Sequence, residues 1–207
     1  MPQITSKNGN GIGNGIGNES QSIIKSQIEK ETISSIIKLH YNNSLTILEC
    51  CNLNITQLPS ELPETLVELY CQHNLLTSLP IFPKSLRVIS VSHNKLTNIV
   101  QMPNNLRSLF CSDNNINEIN TLPNNVLYLY CSNNYLQCLP NLPSKLKLLF
   151  CSNNLIDICP EFPKSLEILM CDQNYIKIDE LIEKTSNINV KLIRPQHRKF
   201  YLPPIII

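Results

Sequence analysis

The chain is 207 residues long and carries 17 Lys and Arg against 16 Asp and Glu, a formal charge of +1. So balanced a surface offers no large field to capture nucleic acid or an anionic membrane, and neither is expected as a partner. No run approaches the roughly 20 consecutive apolar residues of a membrane span, and no basic n-region leads into an apolar h-region at the start, so a soluble protein without a secretory signal is expected.

Residues 1–20 hold all five glycines, Gly9, Gly11, Gly13, Gly15 and Gly17, set among Asn and Ile. Such low-complexity sequence cannot bury a core, which predicts a disordered tail. From Ser22 to about His40, Ile24, Ile28, Ile36 and Leu39 fall on one face of a helical wheel, with Lys25, Lys30 and Glu31 elsewhere. This predicts a helix, and residues 21–41 are assigned as an N-terminal cap, because the first coil of a stacked array has no preceding neighbour to cover it.

Residues 42–178 form the repeating body. Leu45, Leu48, Cys50, Ile55, Leu58 and Pro59 make a divergent first coil, offset by 21 residues from the next. A twenty-residue unit is then written six times without insertion, starting at Leu66, Leu86, Leu106, Val126, Leu146 and Leu166. Each has an aliphatic residue three positions on, at Leu69, Ile89, Leu109, Leu129, Leu149 and Leu169, and then Cys71, Val91, Cys111, Cys131, Cys151 or Cys171. An unbroken column of Asn74, Asn94, Asn114, Asn134, Asn154 and Asn174 follows.

The alternation of Leu69 and Cys71 and their equivalents marks a short strand with those two residues pointing inward. Stacked coils then build a parallel sheet with strands roughly 4.8 Å apart. The asparagines stand where the chain leaves the strand, where their amides can satisfy buried backbone groups; their role is read as a structural ladder. Prolines crowd the return side, at Pro80 and Pro83, Pro103, Pro123, Pro140 and Pro143, and Pro160 and Pro163. They fix φ and remove amide donors, so the outer side is expected to be extended and polyproline-like, without helices. A short helix is expected from Asp179 to about Ser186, followed by a last strand in which Ile188, Val190 and Leu192 alternate, 21 residues beyond Leu169 and Cys171. Residues 179–207 are assigned as the C-terminal cap, and the basic cluster Arg194, His197, Arg198 and Lys199 within it as a solvated edge.

If Leu69 and Cys71 point in, residues 68, 70 and 72 of each coil point out. The middle column then runs Tyr70, Ser90, Phe110, Tyr130, Phe150, Met170, and its neighbour Glu68, Val88, Ser108, Tyr128, Leu148, Ile168. A solvated sheet face should be polar, yet this one is largely aromatic or aliphatic. Contiguous exposed apolar surface of this kind signals an interaction site, and Tyr70, Phe110, Tyr128, Tyr130, Leu148, Phe150, Ile168 and Met170 are the candidate binding residues. Gln72, Ser92, Ser112, Ser132, Ser152 and Asp172 would supply a polar rim. Mutual stacking of the rings along the sheet is the plainer account, and the two are compatible.

Two chemical readings stand beside this one. His73, His93 and Asp113 share one repeat position in successive coils, and imidazole and carboxylate are legitimate metal ligands. The column continues as Asn133, Asn153 and Gln173, so the expectation is a water-facing edge and no metal. Of the nine cysteines, five occupy one inward position that Val91 fills in another coil, which marks them as small buried hydrophobes. The odd number and the absence of C-x-x-C favour reduced thiols in a reducing compartment. Cys51 and Cys138 are the expected exposed thiols, and neither has a local histidine or acid partner.

The unit L-x-x-L-x-C-x-x-N-x-L-x-x-L-P-x-L-P, seen from Val126 to Pro143 with Val126 in the first leucine slot, resembles the short twenty-residue repeats of bacterial leucine-rich-repeat effectors. With cysteine at the inner position, it is also similar to repeats of giant viruses that infect amoebae. The resemblance covers about residues 44–178. It implies a leucine-rich repeat solenoid, α/β by class, with a parallel sheet on the concave side, an extended convex side and short helical caps. It further implies a non-catalytic module that binds proteins through the concave sheet, as the repeat-only members do. The expectation is therefore a protein partner, no cofactor and no enzyme activity, in the cytoplasm of the source cell or of a host. Self-assembly through the same apolar face is the alternative, and a thiol- or metal-dependent enzyme a lesser one; neither oligomeric state nor the partner's identity is read from the sequence.

Overall fold

The computed structural model describes residues 45–99 and 101–192. The expected tail, the N-terminal helix and the basic cluster at 194–199 lie outside these residues.

Eight strands form one parallel sheet in the order β1 (Ile47–Glu49), β2 (Glu68–Tyr70), β3 (Val88–Ser90), β5 (Ser108–Phe110), β7 (Tyr128–Tyr130), β8 (Leu148–Phe150), β9 (Ile168–Met170) and β10 (Lys191–Leu192). Two further short strands, β4 (Asn98–Ile99) and β6 (Glu118–Ile119), pair in parallel as a separate two-stranded sheet. Each main strand is three residues long except the last, and the middle residue is buried in every three-residue strand. Leu69, Ile89, Leu109, Leu129, Leu149 and Leu169 stand directly opposite one another in register. With Leu66, Cys71 and Leu76 and their equivalents they make one continuous core running the length of the stack. Such a core grows by nearest-neighbour contact between coils.

The return side is built as the prolines dictate. In all six regular coils the carbonyl of the conserved-spacing proline accepts the amide three residues on, from Pro63 and Leu66 at 3.0 Å to Pro163 and Leu166 at 3.0 Å. Pro supplies only the acceptor there, so its missing N–H costs nothing. Among the described residues the outer side carries no helix, and the one helix, α1 (Ile178–Thr185), follows the last coil.

Two expectations need correction. The last strand is shorter and out of the expected register: Leu192 lies opposite Leu169, 23 residues on, and Val190 is outside β10. The helix and the turn after it use two more residues than a coil and a one-residue offset would. The cysteines also depart from an all-thiol reading, because Cys50 and Cys71 of the first two coils form a disulfide. Their Cα atoms are 4.9 Å apart, the spacing that stacking imposes on the column and one at which disulfides form. Motif spacing along the chain does not reveal this, since the partners are 21 residues apart.

Candidate interaction face

The strands hold the candidate residues in two columns on the concave side. Strand neighbours stand roughly 4.8 Å apart, less than two rings need to remain independent, so each side chain covers the next. Phe110 stacks on Tyr130 with ring centroids 4.8 Å apart, and Tyr130 meets Phe150 edge-on at 4.5 Å. Tyr130, enclosed from both sides, is only 7% exposed, and Met170 only 8%. These two are the floor of the face, not its surface. The side chains presented to solvent are the half-buried Tyr70, Phe110, Tyr128, Leu148, Phe150 and Ile168. Burial, with a smaller contribution from the neighbouring Tyr128, holds the Tyr130 hydroxyl above its ordinary pKa, protonated at neutral pH. The Tyr70 hydroxyl is raised for the same reason and because it donates to Glu68 Oε2 at 2.7 Å.

Behind the face, each asparagine side chain stitches its own coil to the one before. The Asn134 Oδ1 accepts the Ile116 amide at 2.9 Å, and its Nδ2 donates to the Cys111 and Cys131 carbonyls, both at 3.1 Å. The same pattern recurs at Asn94, Asn114, Asn154 and Asn174. Asn74 does the same for the divergent coil through the Leu53 and Ile55 amides and the Cys50 carbonyl.

The column beside the asparagines is set by backbone geometry. His73, His93, Asp113, Asn133, Asn153 and Gln173 all have φ between 54° and 57°. Asn, Asp and His are enriched in this left-handed region, which accounts for most of the column. The His73 and His93 rings stack at 4.2 Å, His93 Nε2 lies 3.5 Å from Asp113 Oδ2, and Asn133 donates to Asp113 Oδ1 at 2.9 Å. The result is a polar ladder along one edge of the face. Among the described residues no three His, Cys, Asp or Glu side chains are grouped so as to hold a metal. Partial burial and the neighbouring His93 lower the His73 pKa, partly opposed by Asp113.

The inner cysteine thiols are deeply buried. Burial pushes Cys111 up to about 12 and raises Cys131 and Cys151 well above their ordinary value, so all three are protonated at neutral pH. A protonated, enclosed thiol is not a nucleophile. Cys138 is exposed as expected, whereas Cys51 is half-buried and donates its Sγ–H to Gln72 Oε1 at 2.8 Å.

The structure also shows apolar surface that the alternation argument missed. Tyr135, Leu155 and Tyr175 follow the asparagine in three successive coils and are 54%, 37% and 69% exposed. Ile158 and Ile178, three residues further along, are 65% and 51% exposed. In the two coils before these the same positions hold Lys95, Asn115, Asn98 and Glu118, while Leu75 stands after Asn74 in the coil before those. That switch from polar to apolar was visible in the sequence, but only to a reader of columns off the strand. Beside the last described strand, an open groove of about 370 Å³ is lined by Leu169, Asn174, Ile176, Ile178, Leu181 and Leu192 among others.

No protein-family model matches the chain, and no curated protein does. Solved structures do. YopM from Yersinia enterocolitica WA-314 superposes with a TM-score of 0.63 at 38% identity, over 64% of this chain and 29% of that one. The leucine-rich repeat domain of a Shigella effector matches with a TM-score of 0.61 at 24% identity, over 77% of this chain and 87% of that one. The functional domain of InlJ from Listeria monocytogenes, which includes a cysteine ladder, matches at 0.60 and 27% identity, over 72% of this chain and 34% of that one. The chain thus spans under a third of the length of the Yersinia protein. The fold is a leucine-rich repeat solenoid. The protein is a leucine-rich repeat protein similar to bacterial effectors.

Proposed function

We propose that this protein is a non-catalytic interaction module that binds a protein partner through its concave sheet. The observation that carries this reading is the unbroken run of half-exposed Phe110, Tyr128, Leu148, Phe150 and Ile168 across four adjacent strands. Rings already ordered by their neighbours lose little conformational entropy when a partner covers them, so they are favourable anchors. By analogy with the effectors it resembles, it acts as an adaptor in the cytoplasm, with a host protein as its target. The protonated thiols at Cys111, Cys131 and Cys151 give a thiol mechanism no nucleophile there.

The test is a pulldown from cytosol of the native cell or host, comparing wild type with the Phe110→Ala, Phe150→Ala double variant. These two are chosen over Tyr130 because they reach solvent. A partner lost from a variant that keeps its circular dichroism and Tm is the expected result. Unchanged recovery from that folded variant would sink the concave-face reading.

The exposed Tyr135, Leu155, Ile158 and Tyr175 favour a second reading, self-association through the outer edge of the last coils. Light scattering at high protein concentration decides it. A strict monomer, unaffected by Ile158→Ser and Tyr175→Ser, eliminates this reading.

A further inference from the structure

The column just before the strands carries charge in a pattern that the apolar face does not explain. It runs Val67, Arg87, Arg107, Leu127, Lys147, Glu167. The backbone keeps it in register: the Arg107 amide donates to the Arg87 carbonyl at 2.8 Å, Leu127 to Arg107, Lys147 to Leu127 and Glu167 to Lys147, all at 2.8 Å. Side chains one coil apart in this column can therefore touch. Lys147 and Glu167 do so, with Nζ and Oε1 3.0 Å apart.

The same spacing places two arginines, Arg87 and Arg107, at neighbouring positions on adjacent coils. Both are exposed, and among the described residues neither makes an ion pair or a side-chain hydrogen bond. Glu68 pairs in register with Val88, next to Arg87, yet its carboxylate receives the Tyr70 hydroxyl instead. Like charges on adjacent strands repel, so the fold itself gains nothing from this pair. In the chain the pair immediately precedes the face strands, Arg87 before Val88 of β3 and Arg107 before Ser108 of β5.

Resting on the concave-face reading above, we propose that the partner segment is acidic as well as apolar. An extended peptide lies along the columns with its apolar side chains on Phe110, Tyr128, Leu148 and Phe150. One carboxylate of that peptide bridges Arg87 and Arg107, whose planar forks suit carboxylate recognition. The complementary charge steers encounter and fixes which way the peptide runs. A nucleic acid fits less well, because its repeated phosphates would also meet Glu68, Asp113 and Asp172 on the same side.

Selection of phage-displayed random peptides on the intact protein tests this. Wild type is compared with Arg87→Glu, Arg107→Glu and with Phe110→Ser, Phe150→Ser, each variant first shown to keep its Tm. The expected result is peptides enriched in Asp or Glu beside Phe, Leu or Tyr. A synthetic copy of the leading peptide should bind the charge-reversed variant about tenfold more weakly or worse, and the Arg87→Ala, Arg107→Ala variant less severely so. Its affinity should also fall as salt rises from about 0.1 to about 0.5 M. Peptides without acidic enrichment that still need Phe110 and Phe150 overturn the charge inference and leave the concave-face reading standing. Peptides that bind all variants alike, or no peptide at all, overturn both. Displacement of the peptide by an oligouridylate as effectively as by the unlabelled peptide also overturns the inference, in favour of a nucleic acid.

Discussion

Replacing Asn134 by alanine should cost this protein a large part of its stability. The side chain is 6% exposed and holds three buried backbone groups, the Ile116 amide and the Cys111 and Cys131 carbonyls. Alanine can satisfy none of them, but the Cys111 and Cys131 carbonyls keep a second amide, from Asn114 and Asn154, so the Ile116 amide alone is orphaned. One orphaned buried group costs about 1–3 kcal/mol and each of the two other lost hydrogen bonds about 0.5–1.5 kcal/mol, so a loss of roughly 2 kcal/mol or more is expected. Against a typical total of about 5–15 kcal/mol this is severe. Because Asn134 joins the β7 coil to the β5 coil before it, the loss also weakens the coupling between the two halves of the stack. Urea unfolding followed by circular dichroism measures both effects, as a lower midpoint and a shallower or split transition. The control is Asn124→Ala, an exposed turn position with no side-chain hydrogen bond among the described residues, which should change stability by less than about 0.5 kcal/mol. Asn134→Asp should be no better than alanine, since it keeps an acceptor for Ile116 but faces two carbonyls with negative charge. A loss below about 1 kcal/mol for Asn134→Ala would refute the ladder argument.

Acid should weaken the fold through His73. Its folded pKa lies below the ordinary value of about 6.5, so the native state binds fewer protons than the unfolded chain. The stability this contributes is complete above about pH 6.5 and declines as pH falls through that value toward the folded pKa. Thermal melts across that range should show the decline, and His73→Asn should flatten it; an unchanged slope would contradict the assignment. Gln173→Gly should stabilise by about 0.5–1 kcal/mol, because an exposed glutamine held at φ 55° pays a left-handed backbone penalty that exceeds the entropic cost of glycine. A melting temperature that stays the same or drops would remove strain from the account. With a chromogenic disulfide reagent at about pH 8, Cys138 should react rapidly, and Cys111, Cys131 and Cys151 only after denaturant is added. Rapid labelling of any of those three in the folded protein would show that the core opens far more readily than its packing implies.

Most of the architecture was legible in the chain because a solenoid writes its geometry into sequence distance. Leu69, Leu109 and Leu129 recur at multiples of twenty, so register, strand position and the inward column follow from counting alone. The offset of 21 between the first two coils was legible for the same reason and appears as Ile47 opposite Glu68. Counting stopped working after Asn174, where a helix replaces the repeat and Leu192 arrives opposite Leu169 three residues later than an extrapolated twenty-residue coil would place it.

What the sequence determined by itself was which residues share a column. Periodicity needs no tertiary information, and it placed the asparagines, the aromatic face and the His73, His93, Asp113 edge. Only the tertiary structure decided what members of a column do to one another. Stacking at about 4.8 Å buries Tyr130 between Phe110 and Phe150, bonds Cys50 to Cys71, pairs Lys147 with Glu167 and leaves Arg87 beside Arg107. The physical reason is that burial and pairing depend on side-chain size, rotamer and charge across coils. Those contacts join residues twenty or more positions apart, and position along the chain carries no record of them.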